Sequence, residues 1–338
     1  MQKNNQSNQP IQKSINLNSM ALKVENNQLF ILDQRQLPQN EIWIIISHPD
    51  VLIECIQNLA IRGAPLIGVS AALGLALFLQ KNKLSKNETL ILMDKIGNAR
   101  PTAINLLFAV NQLKNILEIS HDKEDFSSLL LEAALKIYNE DHQLCEDIAK
   151  MAQAYIQDGD VILHQCNTGS LATVGRGTAL GAITYAWEMG KKISVVVLET
   201  RPLGQGARLT TWELDKHKIP YTLICDNMAA AAIKHFNISK IFVGADRITK
   251  NGDVANKIGT FQIGILAKYF QIPLYVCAPY STFDNERNSG SEIQIEERNP
   301  FEIQHIWGCF QAKVWNPAFD VIPHELITKI VTNFNATI

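Results

Sequence analysis

The pattern of apolar and polar positions divides the chain into two parts with different periods. From about residue 50 to residue 150, apolar residues recur every three or four positions, which predicts amphipathic helices. These predicted helices cover residues 51–60, 65–80, 88–98, 102–119 and 124–157. Before them, apolar runs at residues 22–24 and 29–32 flank four polar residues, a pattern typical of a short β-hairpin. The first part is therefore predicted to be mostly helical.

The second part alternates short apolar runs with helical stretches. The runs lie at residues 161–164, 194–198, 221–224, 241–244 and 274–277, and the helical stretches at 170–189, 207–216, 228–235 and 254–270. Nearly continuous apolar strands separated by helices indicate a parallel sheet that is covered on both faces. We therefore predict an α/β protein with three regions. They are a disordered polar tail (1–20), a small, mostly helical N-terminal domain with a short β-hairpin (21–150), and a Rossmann-like, doubly wound parallel-sheet catalytic domain (151–338).

One apolar segment resembles a membrane span. Residues 64–79 carry no charge, but Arg62 and Lys81 flank them closely, and the segment is shorter than the ~20 residues that a spanning helix needs. Its many small residues suit a helix that packs closely against its neighbours. We therefore expect a buried helix and no membrane association.

Composition narrows the class of protein. The 338 residues include 31 Lys and Arg against 33 Asp and Glu, with no basic block, which argues against a nucleic-acid surface. Six scattered cysteines form no Cys-x-x-Cys pair, so a zinc site is not expected and the thiols are predicted to be reduced. The first eighteen residues lack the apolar segment of a signal peptide. We expect a cytoplasmic protein without a metal.

Candidate chemistry lies where the predicted strands end, because open parallel sheets bind ligands at the carboxyl ends of their strands. Cys166 follows the first of these strands and lies in a Gly/Ser/Thr loop that leads into a predicted helix. Unpaired N–H groups at such a position lower the pKa of a thiol and make it reactive. The alternative is an inert cysteine that packs in the core.

Two aspartates also follow strands. Partial burial at the end of its strand is expected to raise the pKa of Asp246, so that its carboxyl holds a proton near neutrality. Alternatively, Asp246 caps the next segment or pairs with Arg247. Asp226 has the same placement and either caps a helix or holds a substrate hydroxyl. Spacing alone does not choose between the two acids.

Several segments could bind phosphate, because they combine a cation with a helix start or a glycine-rich turn. They lie at residues 62–64, 100–102, 205–208 and 256–259. Backbone N–H groups at helix starts bind anions, and arginine binds phosphate through two hydrogen bonds. Together they predict an anionic small-molecule substrate.

A dinucleotide site is the weaker alternative. Gly175-Arg176-Gly177 followed by Glu199 imitates the fingerprint of such sites. However, these glycines begin well past the first predicted strand, whereas the fingerprint needs them in the turn that directly follows it.

Several segments together resemble the methylthioribose-1-phosphate isomerases. They are residues 164–173 (HQCNTGSLAT), 177–181, 199–202, 205–210, 243–248 and 251–260, with upstream matches at 32–38, 61–65 and 100–103 and later ones at 295–298 and 316–320. The resemblance spans about residues 22–330. The wider family includes ribose-1,5-bisphosphate isomerases and regulatory subunits of translation initiation factor 2B. The regulatory subunits share the fold but lack the catalytic cysteine and aspartate. The presence of both Cys166 and Asp246 favours an enzyme.

The resemblance implies an aldose–ketose isomerase that converts 5-methylthioribose 1-phosphate to 5-methylthioribulose 1-phosphate in methionine salvage. It implies that Asp246 donates a proton and that Cys166 acts as a base or stabilises the transition state. It also implies a homodimer and no cofactor. The positions that match the family's substrate-binding residues are Arg62, Gly63, Ala64, Arg100, Gln205, Asn256 and Lys257.

Overall fold

The structure is a computed structural model and describes residues 14–100, 103–120 and 125–333. The first elements of the chain form an antiparallel sheet. Its strands, in order across the sheet, are β1 (Leu17–Asn18), β2 (Leu22–Glu25), β3 (Gln28–Leu32) and β4 (Trp43–Ile46). The predicted hairpin is β2 paired with β3, and Asn26 and Asn27 adopt the left-handed backbone conformation in its turn. The hairpin is therefore the centre of a larger sheet than the sequence predicted.

The predicted polar tail extends too far along the chain. β1 lies inside it, with Leu17 opposite Val24 and Asn18 opposite Lys23. Two residues are too few for an alternating pattern to reveal a strand, since here the partner strand supplies the structure. Residues 1–13 of the predicted tail lie outside the described residues.

Helices follow this sheet, as predicted. They are α1 (Pro49–Gln57), α2 (Ala64–Lys81), α3 (Lys86–Gly97), α4 (Ile104–Ile119) and α5 (Phe126–Ala152). α2 packs against α1, α4 and α5 and forms the centre of the first core. By length and composition α2 is apolar enough to cross a membrane, but 72% of it is buried inside the protein. The prediction of a buried helix is confirmed.

The second half of the chain contains further strands and helices. The strands are β5 (Val161–His164), β6 (Ser194–Leu198), β7 (Tyr221–Ile224), β8 (Lys240–Val243), β9 (Arg247–Thr249), β10 (Val254–Lys257), β11 (Leu274–Cys277), β12 (Phe283–Asp284), β13 (Phe319–Ile322) and β14 (Lys329–Val331). The helices are α6 (Ala179–Glu188), α7 (Thr211–His217), α8 (Ala229–His235), α9 (Thr260–Phe270) and α10 (Phe301–Trp307), and a π-helical turn at residues 206–210 precedes α7.

A six-stranded parallel sheet confirms the predicted doubly wound α/β fold. Its order is β14-β11-β8-β5-β6-β7, the Rossmann order. The direction of winding reverses between β5 and β8, which are neighbours, so a crevice opens there at the carboxyl ends of the strands. The sixth strand, β14, was not predicted, because three residues at a sheet edge carry too little pattern.

Two predicted helices begin later than expected. The helix predicted for residues 170–189 starts at Ala179, and a buried loop precedes it. In that loop Gly177 has φ +90° and forms a bridge with Gly169, which a continuous helix would prevent. The helix predicted for residues 254–270 starts at Thr260, because the preceding residues form β10. β10 belongs to a second sheet of order β12-β9-β10-β13.

The close contact between α2 and α4 generates a prediction for stability. A Cβ on Gly68 would lie 2.7 Å from the backbone oxygen of Asn105, so Gly68→Ala must push the helices apart. We expect a loss of about 1–3 kcal/mol in the free energy of unfolding. Gly97→Ala is the matched control, since its Cβ would meet Leu107 of α4 at an ordinary 3.5 Å. Urea unfolding of both variants measures the difference, and equal stabilities would contradict the close contact.

Candidate active site

The crevice between β5 and β8 contains both candidate catalytic side chains. Cys166 lies two residues beyond β5, and Asp246 lies three residues beyond β8. Both line one cavity of about 630 Å³. The helical half of the chain closes this cavity from the other side with the start of α2. The parallel pairing of β5 with β8 therefore brings together two residues that are distant in the sequence.

The other predicted site residues line the same cavity. They are Arg62, Gly63, Ala64, Arg100, Gln205, Asn256 and Lys257. The segments that contain them come from the start of α2, the loop before α4, the π-helical turn and β10. The structure thus groups every residue that the resemblance nominated, while the role of each stays a prediction.

Cys166 is held in an unusual backbone conformation. Its φ of +64° lies in the left-handed region, which residues with a side chain rarely adopt. The Thr200 hydroxyl accepts the N–H of Cys166 at 2.8 Å, and the Thr210 hydroxyl donates to its carbonyl oxygen at 2.5 Å. Such strain persists where neighbours enforce it, and it is concentrated at functional sites. This geometry and the cavity favour a functional cysteine over one that only packs.

Burial raises the pKa of Asp246, in the direction that the sequence predicted. The positive charges of Lys257, Arg247 and Arg100 oppose this shift. The alternative in which Asp246 pairs with Arg247 does not hold, because Arg247 Nη1 lies 3.4 Å from Asp284 Oδ2 and forms its ion pair there. Asp246 is therefore a carboxyl that retains its proton more readily than an exposed aspartate.

Asp226 has a structural position. Its carboxylate accepts the N–H groups of Thr200 and Arg201 at 2.8 and 2.7 Å, and it does not line the cavity. Because Thr200 in turn holds Cys166, Asp226 supports the loop behind the site. The sequence left two alternatives for Asp226, a substrate contact and a helix cap, and these hydrogen bonds correspond to neither.

Positive groups surround the cavity. The Arg62 guanidinium donates to Asn167 Oδ1 at 2.7 Å and to the Asn167 backbone oxygen at 3.0 Å. Lys257 Nζ donates to the Ala318 carbonyl at 3.1 Å, and burial lowers the pKa of this amine. Arg100 pairs with Glu296 at 3.1 Å. The arrangement suits an anion, because several cations face one enclosed space.

The start of α2 adds backbone donors. Gly63 has φ +96°, and a Cβ there would lie 2.5 Å from Ala172 Cα, so glycine is required. Within the described residues, no backbone oxygen outside α2 accepts the N–H of Gly63 or Ala64. The helix dipole points its positive end into the cavity at this place. Free N–H groups at a helix start are of the kind that bind anions, so the predicted role of Gly63 and Ala64 is compatible with their position.

Sequence reasoning missed several lining residues. Glu296 and Arg298 form an ion pair at 3.1 Å and reach the cavity from a loop far along the chain. Arg208 also lines the cavity and donates to the Gln34 carbonyl at 3.0 Å, which ties the two halves together. Glu296 and Arg298 lay in a segment, residues 295–298, that carried the family resemblance, so a signal was present without a role attached to it. Arg208 is the cation of the predicted phosphate-binding segment 205–208.

The glycines of the dinucleotide alternative serve packing instead. A Cβ on Gly175 would lie 2.6 Å from Cys145 Cβ, and Arg176 pairs with Glu146 and Glu188 at 2.7 and 2.8 Å. None of residues 175–177 lines the cavity. The structure therefore gives this segment no place at a ligand.

One group of potential metal ligands occurs among the described residues. Ligand atoms of Asp253, His324 and Glu325 lie within 4.8 Å of one another, on the surface and outside the cavity. Asp253 Oδ1 accepts a hydrogen bond from the backbone N–H of His324 and also lies 3.0 Å from the Nδ1 atom of His324. The group is explained as an ion pair that fixes the turn after β13.

Comparisons with known proteins identify the family of this chain. The family described as "Initiation factor 2 subunit family" matches residues 60–337. A methylthioribose-1-phosphate isomerase of Citrobacter koseri is 45% identical over 320 residues, 92% of each chain. The crystal structure of a 5-methylthioribose 1-phosphate isomerase from Pyrococcus horikoshii is 38% identical with a TM-score of 0.85 and covers 93% of this chain and 90% of its own. That of a translation initiation factor eIF-2B delta subunit from A. fulgidus is 38% identical with a TM-score of 0.81 and covers 90% and 92%.

The cation-lined cavity predicts that an anion protects Cys166. Alkylation by iodoacetamide should slow at Cys166 when inorganic phosphate is added, because the anion would occupy the cavity beside the thiol. Cys309, which is exposed and outside the cavity, serves as the internal control and should react at an unchanged rate. Peptide mass spectrometry follows both residues in one sample. Equal rates at Cys166 with and without phosphate would contradict an anion site here.

Proposed function

The chain belongs to the initiation factor 2 subunit family, in the group of the methylthioribose-1-phosphate isomerases, and we propose that it converts 5-methylthioribose 1-phosphate to 5-methylthioribulose 1-phosphate in methionine salvage. The observation that carries the proposal is the meeting of Cys166 and Asp246 in one cavity lined by cations. This is an intramolecular oxidation and reduction, in which C2 is oxidised to a ketone and C1 is reduced.

An acid is needed because phosphate blocks the anomeric oxygen, so the sugar ring cannot open to a free aldehyde. Asp246 would protonate the ring oxygen while the bond from C1 to that oxygen breaks. The ring oxygen then becomes the hydroxyl on C4, and a cation forms at C1. Burial supports this role, because it raises the pKa of Asp246 and so keeps the carboxyl protonated at higher pH.

Hydrogen then moves from C2 to C1 by one of two routes. In the first, Cys166 as a thiolate removes the C2 proton to give an enol; a proton is then added at C1, and the C2 hydroxyl loses its proton to give the ketone. In the second, the C2 hydrogen shifts to C1 as a hydride, and Cys166 stabilises the charge while the C2 hydroxyl loses its proton. Either route leaves the phosphate on C1 and balances without a cofactor.

The remaining residues would bind the substrate. Arg62 and the N–H groups of Gly63 and Ala64 would hold the phosphate, supported by Lys257. Arg100, Gln205 and Asn256 would bind the hydroxyls or the phosphate. Gln205 Oε1 is buried with no hydrogen-bond partner within the described residues, which suits an acceptor for a substrate hydroxyl. An enclosed cavity would protect the activated intermediate from water.

A regulatory binding protein is the second candidate. Its support is the similarity to the eIF-2B delta subunit from A. fulgidus. Such a protein would bind a sugar phosphate or a nucleotide without turnover.

The homodimer that the family resemblance implies and the cytoplasmic location that the sequence suggests stay predictions.

Proton NMR in heavy water tests the reaction. Wild-type protein with 5-methylthioribose 1-phosphate should form the ketose, whereas Asp246→Asn should lose nearly all turnover because the amide cannot donate the ring proton. Cys166→Ser should also be strongly impaired. Deuterium at C1 would favour the enol route over hydride transfer.

The controls separate the candidates. Both variants should keep the circular-dichroism spectrum of the wild type, which shows that loss of turnover is not loss of fold. If the wild type leaves this substrate unchanged, ribose 1,5-bisphosphate is tested next. No turnover of either substrate would refute the isomerase and leave the regulator.

The pH dependence of kcat should follow the protonation of the Asp246 carboxyl. A proton donor must be protonated, so the rate should fall as pH rises through its folded-state pKa, which burial holds above the ~3.9 of an ordinary aspartate. The measurement is kcat at saturating substrate across the stable pH range. Asp246→Glu, which keeps a carboxyl, should retain an alkaline loss of rate with a shifted midpoint. A rate that stays constant into alkaline pH would argue against a protonated Asp246.

A further inference from the structure

A fully buried carboxylate lies behind the cavity and does not line it. Glu213 of α7 is 0% exposed. Its Oε1 accepts hydrogen bonds from Asn167 Nδ2 at 2.7 Å and from the Leu171 N–H at 3.1 Å, and its Oε2 accepts the Ser170 N–H at 2.8 Å. All of these donors belong to the loop that follows Cys166. A buried charge is costly, so its location needs an explanation.

The contacts of Glu213 decide which way the Asn167 amide faces. Each of the three groups that contact the Glu213 oxygens is an N–H donor, so Glu213 faces the NH2 group of Asn167 and not its amide oxygen. The amide oxygen of Asn167 then points the other way, to Arg62 Nη1 at 2.7 Å. The backbone oxygen of Asn167 accepts from Arg62 Nη2 at 3.0 Å, so two nitrogens of the guanidinium are fixed.

The loop is built around this carboxylate. A Cβ on Gly169 would overlap the Glu213 carboxylate, so the backbone lies directly against it. Burial raises the pKa of Glu213, whereas the hydrogen bonds from Asn167, Leu171 and Ser170 and the charge of Arg62 favour the ionised form. Arg62 itself lies in the cavity wall beside Cys166 and the start of α2.

We propose that Glu213 is a positioning residue that, through Asn167, holds the Arg62 guanidinium in place to bind the anionic group of the ligand. The inference rests on the proposed function in one respect, that Arg62 contacts the phosphate. Glu213 itself touches no ligand. Without the relay Glu213–Asn167–Arg62, the guanidinium would keep only its bond to the Asn167 backbone oxygen, and a cation fixed at two nitrogens loses less entropy when it binds.

Asn167→Ala tests the relay directly, because it removes the amide and leaves the bonds from Glu213 to the backbone of residues 170 and 171. Glu213→Gln keeps the shape but places an NH2 group against a donor, either the Ser170 N–H or the Asn167 amide. Two quantities are measured in each variant: the dissociation constant of inorganic phosphate by calorimetry, and KM and kcat with 5-methylthioribose 1-phosphate.

Asn167→Ala should raise the dissociation constant of phosphate and KM by at least about tenfold, with a smaller change in kcat, because it removes a hydrogen bond that orients a charged group. Glu213→Gln should raise both by a smaller factor, because one orientation of its amide still accepts from Asn167. Asp141→Asn is the matched control. The Asp141 carboxylate accepts the Val174 N–H at 2.7 Å at the other end of the same loop, and Asp141 does not line the cavity. Its substitution should lower the melting temperature and leave phosphate affinity unchanged.

The outcomes are separable. Unchanged phosphate affinity in Asn167→Ala would overturn the relay, as would an equal loss in Asp141→Asn, which would mean general loosening of the loop. If Glu213→Gln does not fold, Asn167→Ala decides. A wild type that binds phosphate without turnover would refute the isomerase, while the dissociation constants still decide the relay. A wild type that binds no phosphate would overturn the relay, because Arg62 would then hold no anion.

Discussion

The parallel pairing of β5 with β8 is the constraint on which the site depends. Leu163 lies opposite Ile241 and His164 opposite Phe242 in this pairing, and both strands are almost wholly buried. The two faces of these strands pack into different cores, Ile162 and Phe242 into one and Leu163 and Ile241 into the other, so a slip of one residue would move each side chain of a strand to the other core. The register in turn brings the chain beyond each strand to the same crevice, with Cys166 on one side and Asp246 on the other. Everything else at the site is placed around this pair.

The helical half completes the site and does more than cover it. The start of α2 presents Gly63 and Ala64 to the cavity, and the close approach of Gly63 to Ala172 joins α2 to the loop after β5. A hydrogen bond from Leu66 N–H to the Ala172 carbonyl, at 3.1 Å, fixes the same junction. The cavity therefore lies between the core around α2 and the cores that pack on the parallel sheet. Such a position is common for small-molecule sites.

The electrostatics of the site follow from burial and from the partners of each charge. Each cation that lines the cavity donates a hydrogen bond to a protein oxygen. Arg62 donates to Asn167, and Lys257 donates to the Ala318 carbonyl. The acids divide into two kinds. Glu213 and Asp226 accept backbone N–H groups and stabilise loops, whereas Asp246 faces the cavity with its pKa raised by burial. Position relative to the cavity, and not residue type, separates the acids that stabilise loops from the acid for which we propose a catalytic role.

The pattern of apolar positions predicted the helices of the first half, the strands β5, β6, β7, β8 and β11, and the place where candidate side chains meet, at the ends of the strands. Apolar runs located β5, β6, β7 and β11 with the bounds that the structure has. β5, β6 and β11 are buried on both faces, which requires a continuous apolar segment, whereas β7 is a partly exposed edge strand. The resemblance nominated nine residues, all of which line the cavity, but no role for others such as Arg298. The pairing of polar groups depends on the three-dimensional fold. Glu213 and Asn167 are 46 positions apart, and Arg100 and Glu296 are 196 apart. Periodicity records whether a residue is buried, but it holds no information about which distant donor will face a given carboxylate.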